Sequence, residues 1–172
     1  QQKVVWRGED TATATASTCT TILIIHPSEQ SKYKAKLSQI LAIVENDLGM
    51  QSSSSSTSSA ANTILLYLKN QRVVGFVSVQ PVTVGYRLLT LYERDTDPVQ
   101  CLLGVAVLWT HSSVRQQGIA TKLVDMARGH AVFGMQVPKS ELAFSSPTEA
   151  GWAFAKQYIG NDTTPLVYEY SG

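Results

Sequence analysis

The chain has 172 residues, of which 44% are hydrophobic and 16% are charged, a composition that fits one globular domain with a sizeable core. Its formal net charge is +1 at pH 7, so charge alone implies no attraction to nucleic acid or to a membrane surface. No apolar run reaches the length of a transmembrane helix, and no signal peptide is visible. Because the chain starts at Gln1 rather than Met, we expect a fragment of a longer protein.

The cysteine content excludes two further classes of protein. Cys19 and Cys101 are the only cysteines and lie far apart in the chain. They do not form a disulfide framework, so we expect a reducing compartment. Together with the three histidines they match no familiar spacing of a four-ligand zinc site, and we expect no metal.

The N-terminal part of the chain predicts a tether and a first strand. Residues 1–19 are rich in Thr and Ala without a periodic pattern, and we expect them to be largely a tether ahead of a domain over 20–172. The apolar run at 21–26 predicts a short strand, which Pro27 ends.

A helix and a loop are predicted next. Ser31 is expected to cap the helix, whose apolar stripe recurs at helical spacing as far as Leu48, and Gly49 is expected to end it. The stretch 51–61 is almost all serine and cannot bury apolar surface, so it predicts a flexible loop.

Three strands are predicted in the middle of the chain. Residues 63–68 and 72–79 are rich in apolar and β-branched side chains, and 69–71 is short enough to join them as a hairpin. Gly75 inside the second strand indicates a β-bulge or a close neighbour. A further strand is predicted at 85–92.

A central strand and helix follow. The segment 93–100 carries several charges and Pro98, so a loop is predicted there. Residues 102–109 form an apolar run rich in Val and Leu, which is typical of a strand buried on both faces. After a polar turn, apolar residues from Ile119 onward recur at four-residue spacing and predict a helix.

The C-terminal part predicts a strand at 141–145, a helix from 146–148 to Gly160, and a closing strand at 166–170. Strands and helices therefore alternate irregularly along the chain. This order predicts the α/β (α+β) class, with a mixed sheet and helices on both of its faces.

The junction at 115–120, between the central strand and its helix, indicates a phosphate site. The first N–H groups of a helix lack intrahelical partners and lie at the positive end of the dipole, so they bind anions. Gly118 lets the backbone approach a pyrophosphate, Arg115 adds positive charge and Ala120 leaves room for the ligand. The two commoner phosphate-loop patterns do not occur. A glycine needed only for the turn is the alternative interpretation.

The pattern Arg-x-x-Gly-x-Ala in this position resembles the acetyl-CoA signature of the GNAT acetyltransferase superfamily. Several segments over roughly 22–170 are similar to the Eco1/ESCO cohesin acetyltransferases, a nuclear branch of that superfamily. The segments that carry this resemblance include Asn46-Asp47-Leu48-Gly49, Gly85-Tyr86-Arg87, Arg115-Gln116-Gln117-Gly118-Ile119-Ala120, Phe133-Gly134 and Ala143-Phe144-Ser145-Ser146-Pro147-Thr148.

The resemblance implies a GNAT fold with a central mixed, mostly antiparallel sheet, acetyl-CoA as co-substrate and no metal in this fragment. It implies acetylation of lysines on the Smc3 subunit of cohesin, which establishes sister-chromatid cohesion, and it places the protein in the nucleus. Family members carry a zinc finger and often a motif for the replication clamp, neither of which this sequence contains. Contacts with DNA and the clamp are therefore expected only through other regions, and no membrane contact is expected.

By the same resemblance, cofactor-binding residues lie on the central strand, on the loop before the helix and at the start of the last helix. The strand is expected to offer main-chain groups to pantetheine, and one N–H is expected to polarise the thioester carbonyl. Trp109 and Phe154 have packing in the core as the alternative interpretation. The full set is Leu108, Trp109, Thr110, Arg115, Gln116, Gln117, Gly118, Ile119, Ala120, Thr121, Ser145, Pro147, Thr148 and Phe154.

Acetylation also requires that the acceptor lysine lose a proton. With a lysine pKa near 10.4, about one side chain in 2,500 is neutral at pH 7, which corresponds to roughly 4.6 kcal/mol. Asp125 is a candidate base, with a solvated helix position as the alternative, and Tyr158 is a candidate proton donor to the CoA thiolate, with a packing role as the alternative. Ser146 matches an aspartate of vertebrate members and Ala106 matches a serine, so the identity of the base stays open.

Two other functions stay open as well. One is a GNAT enzyme that acts on a small amine, against which the Ala-Phe-Ser-x-Pro-Thr segment favours a protein substrate. The other is a weakly active CoA-binding scaffold on cohesin, which Ala106 and Ser146 would favour.

Overall fold

The computed structural model describes residues 4–10, 18–50, 61–160 and 162–169. The flexible loop expected at 51–61 therefore lies outside the described residues, apart from Ala61 at its end.

Within this range the chain forms nine strands and three α-helices. The strands are β1 Val4–Asp10, β2 Thr18–Ile25, β3 Thr63–Lys69, β4 Arg72–Pro81, β5 Val84–Thr90, β6 Glu93–Gln100, β7 Leu103–Thr110, β8 Leu142–Ser145 and β9 Leu166–Tyr168. The helices are α1 Lys34–Leu48, α2 Ile119–His130 and α3 Glu149–Ile159.

The described strands form one mixed sheet in the order β1-β2-β3-β4-β7-β8-β9-β5-β6. All neighbours are antiparallel except β7–β8 and β8–β9, which are parallel. The α/β class with a mixed, mostly antiparallel sheet is therefore confirmed.

Helices cover both faces of the sheet, as the sequence predicted. On one face α1 buries Leu37, Ile40, Leu41 and Val44 against strand residues that include Phe76 and Trp109. On the other face α2 and α3 bury a second cluster that includes Leu123, Val124, Ala127, Ala155 and Tyr158. Since alternate residues of β3 point to opposite faces, this short strand contributes to both clusters.

The β3–β4 hairpin is as predicted. Lys69 pairs with Arg72, so the loop holds two residues, Asn70 and Gln71, with φ of 49° and 65°. Positive φ at both loop residues is the geometry whose twist matches that of the flanking strands. Gly75 combines both features that the sequence indicated, because the register shifts beside it and α2 packs closely on it.

The start of the first helix differs from the prediction. Residues 27–33 form a 3-10 turn that contains Ser31, and α1 begins only at Lys34. Pro27 fixes the first turn, and the side chain of Glu29 accepts a hydrogen bond from the N–H of His26 at 3.4 Å. The helical path therefore begins ahead of Ser31, which is not the N-cap. Gly49 ends α1 with φ of 66°, as expected.

Two strands were not predicted. Val4–Asp10, expected to belong to the tether, pairs antiparallel with β2, so this segment is part of the sheet. Glu93–Gln100, predicted as a loop, is an edge strand that pairs with β5. Edge strands have one free side, so they tolerate charged residues and a proline such as Pro98. Composition therefore misled the prediction at β6.

In the described part of the chain, no helix is both long enough and apolar enough to cross a membrane.

Candidate functional site

The central feature of the site is a fork between the parallel strands β7 and β8. Their pairing starts at Leu103 with Leu142 and ends at Val105 with Phe144. β7 continues to Thr110, whereas β8 ends at Ser145. Beyond the last pair, the main-chain groups of β7 that face β8 have no strand partner among the residues that the structure describes. A groove with hydrogen-bonding walls therefore opens between the two strands.

A β-bulge opens the fork. Val105 pairs with Val79 and Val107 pairs with Ser78, which leaves Ala106 as an extra residue on β7. Beyond the bulge, the side chains of β7 exchange faces of the sheet. Val105 packs with the α2–α3 cluster, whereas Val107, two residues later, packs with the α1 cluster. A bulge bends the strand and increases its twist, which carries the end of β7 away from β8.

The apex of the fork is held by Ser145. Its hydroxyl donates a hydrogen bond of 2.6 Å to the carbonyl oxygen of Ala106. This bond joins the last residue of β8 to the bulge residue of β7. Ser145 therefore sets how far the two strands diverge at the point where their pairing ends.

The N-terminus of α2 lies directly after β7 and a short 3-10 turn, Ser112–Val114. Gly118 is the N-cap with φ of 78°, and it has no side chain that could satisfy the first N–H groups of the helix. Apart from its chain neighbours, a Cβ placed on Gly118 would meet no atom of the described residues within 4 Å, so the space beside the N-cap is open. Gln116 also has positive φ, at 60°, which a residue other than glycine rarely adopts.

The loop residues divide into exposed and buried groups. Residues 115–118 and Thr121 are exposed, Ala120 is half-buried, and Ile119 is buried in the core. The guanidinium Nε of Arg115 donates to the carbonyl of Thr110 at 3.3 Å, which brings this cation back to the end of β7. The sequence-predicted phosphate loop thus presents open backbone and one positive charge beside the fork.

A close contact positions α2 on the sheet. A Cβ on Gly75 of β4 would lie 2.8 Å from Cγ2 of Ile119 and 3.0 Å from Cδ1 of Leu123. The first turns of the helix therefore approach the strand at a distance that only glycine permits. The position of the helix N-terminus relative to β7 depends on this contact.

Trp109 belongs to the core rather than to the groove surface. Its side chain is 4% exposed, packs in the α1 cluster and donates from Nε1 to Oδ2 of Asp47 at 3.1 Å. Leu108 and Thr110 are half-buried beside it. These three residues therefore contribute mainly backbone N–H and C=O groups to the groove.

The junction between β8 and α3 forms the second wall of the fork. Ser146 is exposed and Pro147 is half-buried. Thr148 caps α3, since its Oγ1 accepts from the N–H of Gly151 at 3.2 Å. The hydroxyl of Thr148 is thus engaged in starting the helix, whereas that of Ser146 is exposed at the end of the strand.

Asp125 and Tyr158 lie together, joined by Arg128. The Tyr158 hydroxyl donates to Oδ1 of Asp125, and Nη1 of Arg128 lies 3.0 Å from the same hydroxyl and 3.2 Å from Asp125. Nε of Arg128 also donates to the carbonyl of Val137 at 2.7 Å. Burial, followed by the hydrogen bond to Asp125, raises the pKa of Tyr158 well above its ordinary value, so the phenol keeps its proton.

This cluster is distant from the third catalytic candidate, Ser146. Tyr158 lies nine residues along α3 from Glu149, which corresponds to about 14 Å of helix. Phe154, between them, stacks on Tyr158 at 5.5 Å and meets Phe144 edge-on at 6.4 Å. The contacts of Phe154 and Tyr158 favour their alternative interpretation as packing residues, whereas Asp125 is engaged by Tyr158 and Arg128.

Four polar side chains in and around the site were not predicted from the sequence. Asp47 anchors Trp109 and Arg128 joins α2 to α3, while Arg94 and Glu169 form an ion pair of 2.6 Å near Ser146. Asp47 was within a quoted motif, but nothing in the sequence gave its partner. Among the described residues, no three His, Cys, Asp or Glu side chains are arranged to hold a metal ion.

The sequence is similar to those of known N-acetyltransferases. Residues 99–168 match the family described as ESCO1/2 acetyl-transferase. N-acetyltransferase ESCO2 of Danio rerio is 29% identical over 167 residues, which cover 87% of this chain and 27% of that protein. N-acetyltransferase ECO1 of Saccharomyces cerevisiae is 25% identical over 155 residues, which cover 81% of this chain and 54% of that protein. The chain thus spans from 27% to 54% of the length of these two relatives.

Solved structures give the same result. The xEco2 acetyltransferase domain bound to a lysine–CoA conjugate matches with a TM-score of 0.80 and 25% identity, covering 89% of this chain and 95% of that chain. A second structure of the xEco2 acetyltransferase domain matches with a TM-score of 0.82 at 22% identity, covering 100% of this chain and 98% of that chain. Both matches confirm the fold that the sequence predicted.

Proposed function

Because the chain is an Eco1/ESCO-type GNAT domain, we propose that it transfers the acetyl group of acetyl-CoA to lysine side chains of the Smc3 subunit of cohesin. The observation that carries the proposal is the β7–β8 fork beside the open N-terminus of α2. The relative of the same fold that binds a lysine–CoA conjugate supports acetyl-CoA and a lysine as the two substrates.

The residues at the fork fit acetyl-CoA. Its thioester supplies an acetyl group that is already activated for transfer to an amine. The first intrahelical bond of α2 runs from the N–H of Lys122 to the carbonyl of Gly118, so the N–H groups of 119–121 are available to bind the diphosphate. Arg115 adds its charge, and the main-chain groups of β7 beyond Ala106 that face away from β4 would align the pantetheine chain.

The acceptor amine must reach the fork in its neutral form. Ser146 is exposed at the end of β8, and its hydroxyl can accept a hydrogen bond or hold a water molecule. It does not act as a base at neutral pH, and the hydroxyl hydrogen of Tyr158 is already engaged in a hydrogen bond to Asp125. We infer that the proton leaves to solvent at the exposed mouth of the fork, with Ser146 orienting the amine or the water.

The cellular role is part of the same proposal. Acetylation of Smc3 would establish sister-chromatid cohesion in the nucleus during DNA replication, and the names of the curated relatives are consistent with this role. Contacts with DNA and with the replication clamp are proposed to lie in regions other than this domain.

The test is release of free CoA thiol by the purified domain with acetyl-CoA and an Smc3 head peptide. The matched control is the same peptide with its lysines replaced by arginine. We expect turnover with the lysine peptide and none with the control, with mass spectrometry locating one acetyl group on a lysine.

Two outcomes would overturn this proposal in favour of the alternatives. Turnover with polyamines but not with the Smc3 peptide would indicate a small-amine enzyme. Tight acetyl-CoA binding by calorimetry, with no turnover on the Smc3 peptide or on polyamines, would indicate a binding scaffold.

A further inference from the structure

A second opening meets the fork from the other side of β8. It is a cleft of about 370 Å³ between the β5–β6 hairpin and the start of α3. Apolar, aromatic and charged side chains share its lining. The residues that line it are Leu88, Leu91, Tyr92, Arg94, Ser146, Pro147, Val167, Tyr168 and Glu169.

The strand register places this cleft next to the fork. β8 and β9 run parallel, with Ser145 paired to Tyr168. The next residue of each strand path, Ser146 on one and Glu169 on the other, lines the cleft. Since Ser145 also holds the apex of the fork through Ala106, the cleft and the fork meet at the end of β8.

The lining contains one charge of each sign, and the two are paired. Nη2 of Arg94 lies 2.6 Å from Oε1 of Glu169, and the guanidinium also stacks over the ring of Tyr86 at 4.5 Å. Arg94 is therefore fixed from two sides, and it in turn orients the Glu169 carboxylate. The Glu169 side chain remains 73% exposed, so the carboxylate stays accessible to a ligand.

The rim of the cleft suits a long aliphatic side chain that ends in a cation. Tyr92 is 94% exposed at the tip of the hairpin and, with Leu91, offers apolar surface to methylene groups. The carboxylate of Glu169 offers the opposite charge to an ammonium. A lysine side chain combines both features, and the fork is where its nitrogen has to arrive.

We propose that this cleft receives the acceptor lysine and that Glu169, oriented by Arg94, binds its ammonium group before transfer. The inference rests on the proposed function and adds the residue that recognises the acceptor. Glu169 is assigned to substrate binding, so its charge affects the acceptor peptide and not acetyl-CoA.

The test compares Glu169→Gln, just after β9, with Glu93→Gln, which makes the same change on the β5–β6 hairpin beside the cleft, at a position that does not line it. The probe is a short Smc3 head peptide with one lysine, titrated into each protein by calorimetry and used in the CoA-release assay. We expect Glu169→Gln to weaken peptide binding and raise the peptide KM by roughly fivefold to tenfold, with acetyl-CoA affinity and kcat unchanged. Glu93→Gln should match the wild type.

A third variant separates recognition from a structural ion pair. If Glu169 acts only by holding Arg94, Arg94→Gln would reproduce the loss seen in Glu169→Gln and overturn the proposal. If Glu169 binds the ammonium, Arg94→Gln leaves the charge in place and retains most of the affinity. Thermal unfolding of each variant controls for loss of the fold.

The calorimetry keeps this inference distinct from the proposed function. Absence of turnover with any lysine peptide would count against the transferase, whereas peptide affinity equal in wild type and Glu169→Gln would overturn the acceptor cleft. Failure of the wild type to bind the peptide, or equal binding of the peptide with its lysine replaced by alanine, would also overturn it.

Discussion

The close approach of α2 to β4 predicts that a single methyl group at Gly75 displaces the helix that carries the phosphate loop. In Gly75→Ala the new Cβ would lie 2.8 Å from Ile119 Cγ2, 3.0 Å from Leu123 Cδ1 and 3.1 Å from Tyr67 Cβ. Carbon atoms in contact prefer about 3.5–4.0 Å, so these neighbours must retreat by about 0.4–1.2 Å. Gly75 is not among the glycines with positive φ, so the effect is steric and not conformational.

Gly75→Ala is expected to lower both the stability of the domain and its reaction rate. Overpacking of a buried site lowers the free energy of unfolding by about 1–3 kcal/mol, which urea unfolding followed by circular dichroism measures. A shift of about 1 Å at the helix N-terminus also misplaces the bound co-substrate, and misplacement of that size can lower a rate by about 100-fold. Calorimetry with acetyl-CoA and the CoA-release assay measure this second part.

The matched control is Gly129→Ala, the same change on α2 itself. A Cβ at Gly129 meets no atom within 4 Å, and alanine in a helix is favoured over glycine by about 1 kcal/mol. The two variants should therefore change stability in opposite directions. Equal stability and equal acetyl-CoA affinity of Gly75→Ala and the wild type would refute the reasoning, because the helix would then not depend on the contact.

Three further predictions concern the loop, the fork and the buried thiol. Gly118→Asp should abolish acetyl-CoA binding by calorimetry while circular dichroism stays unchanged, because a carboxylate would occupy the anion position; retained affinity would exclude the loop assignment. Ser145→Ala should lower the free energy of unfolding by about 1 kcal/mol and reduce kcat, since the hydrogen bond to the Ala106 carbonyl is lost. An unchanged kcat would show that the geometry of the fork does not depend on this hydrogen bond. Burial and then Glu141 raise the pKa of the Cys101 thiol, so in the native domain iodoacetamide should modify the exposed Cys19 and spare Cys101. Because folding raises this pKa, the contribution of the protonated thiol to stability is fully present below its ordinary pKa of 9.0 and is lost as the pH rises through the pKa of the folded state. Cys101→Ala should therefore flatten the decline of the free energy of unfolding at alkaline pH.

Several elements could be predicted because their signals are local. The apolar run of β7, the four-residue spacing of α2 and the tight turn between β3 and β4 each depend on neighbouring positions in the chain. The same holds for Gly118, since a glycine between a predicted strand and a predicted helix indicates a helix N-terminus without a side-chain cap. Local periodicity therefore predicted the central βα unit and the phosphate loop within it.

The two unpredicted strands show the limit of local signals. β6 carries charges and a proline because it lies at the edge of the sheet, and its partner β5 supplies the hydrogen bonds that composition does not reveal. β1 likewise depends on the exposed edge of β2. Edge position is a property of the assembled sheet, so periodicity and composition alone did not identify either strand.

By itself, the sequence determined the class of fold, the order of most elements and the position of the loop ahead of α2, since each follows from the pattern of nearby residues. Only the tertiary structure decided which side chains meet: Ser145 and Ala106 are 39 residues apart, Asp47 and Trp109 are 62 apart, and Arg94 and Glu169 are 75 apart. It also placed Tyr158 with Asp125, away from the fork. The physical reason is that local patterns set the path of the chain, whereas contacts between distant segments depend on how strands are ordered, bulged and packed against helices.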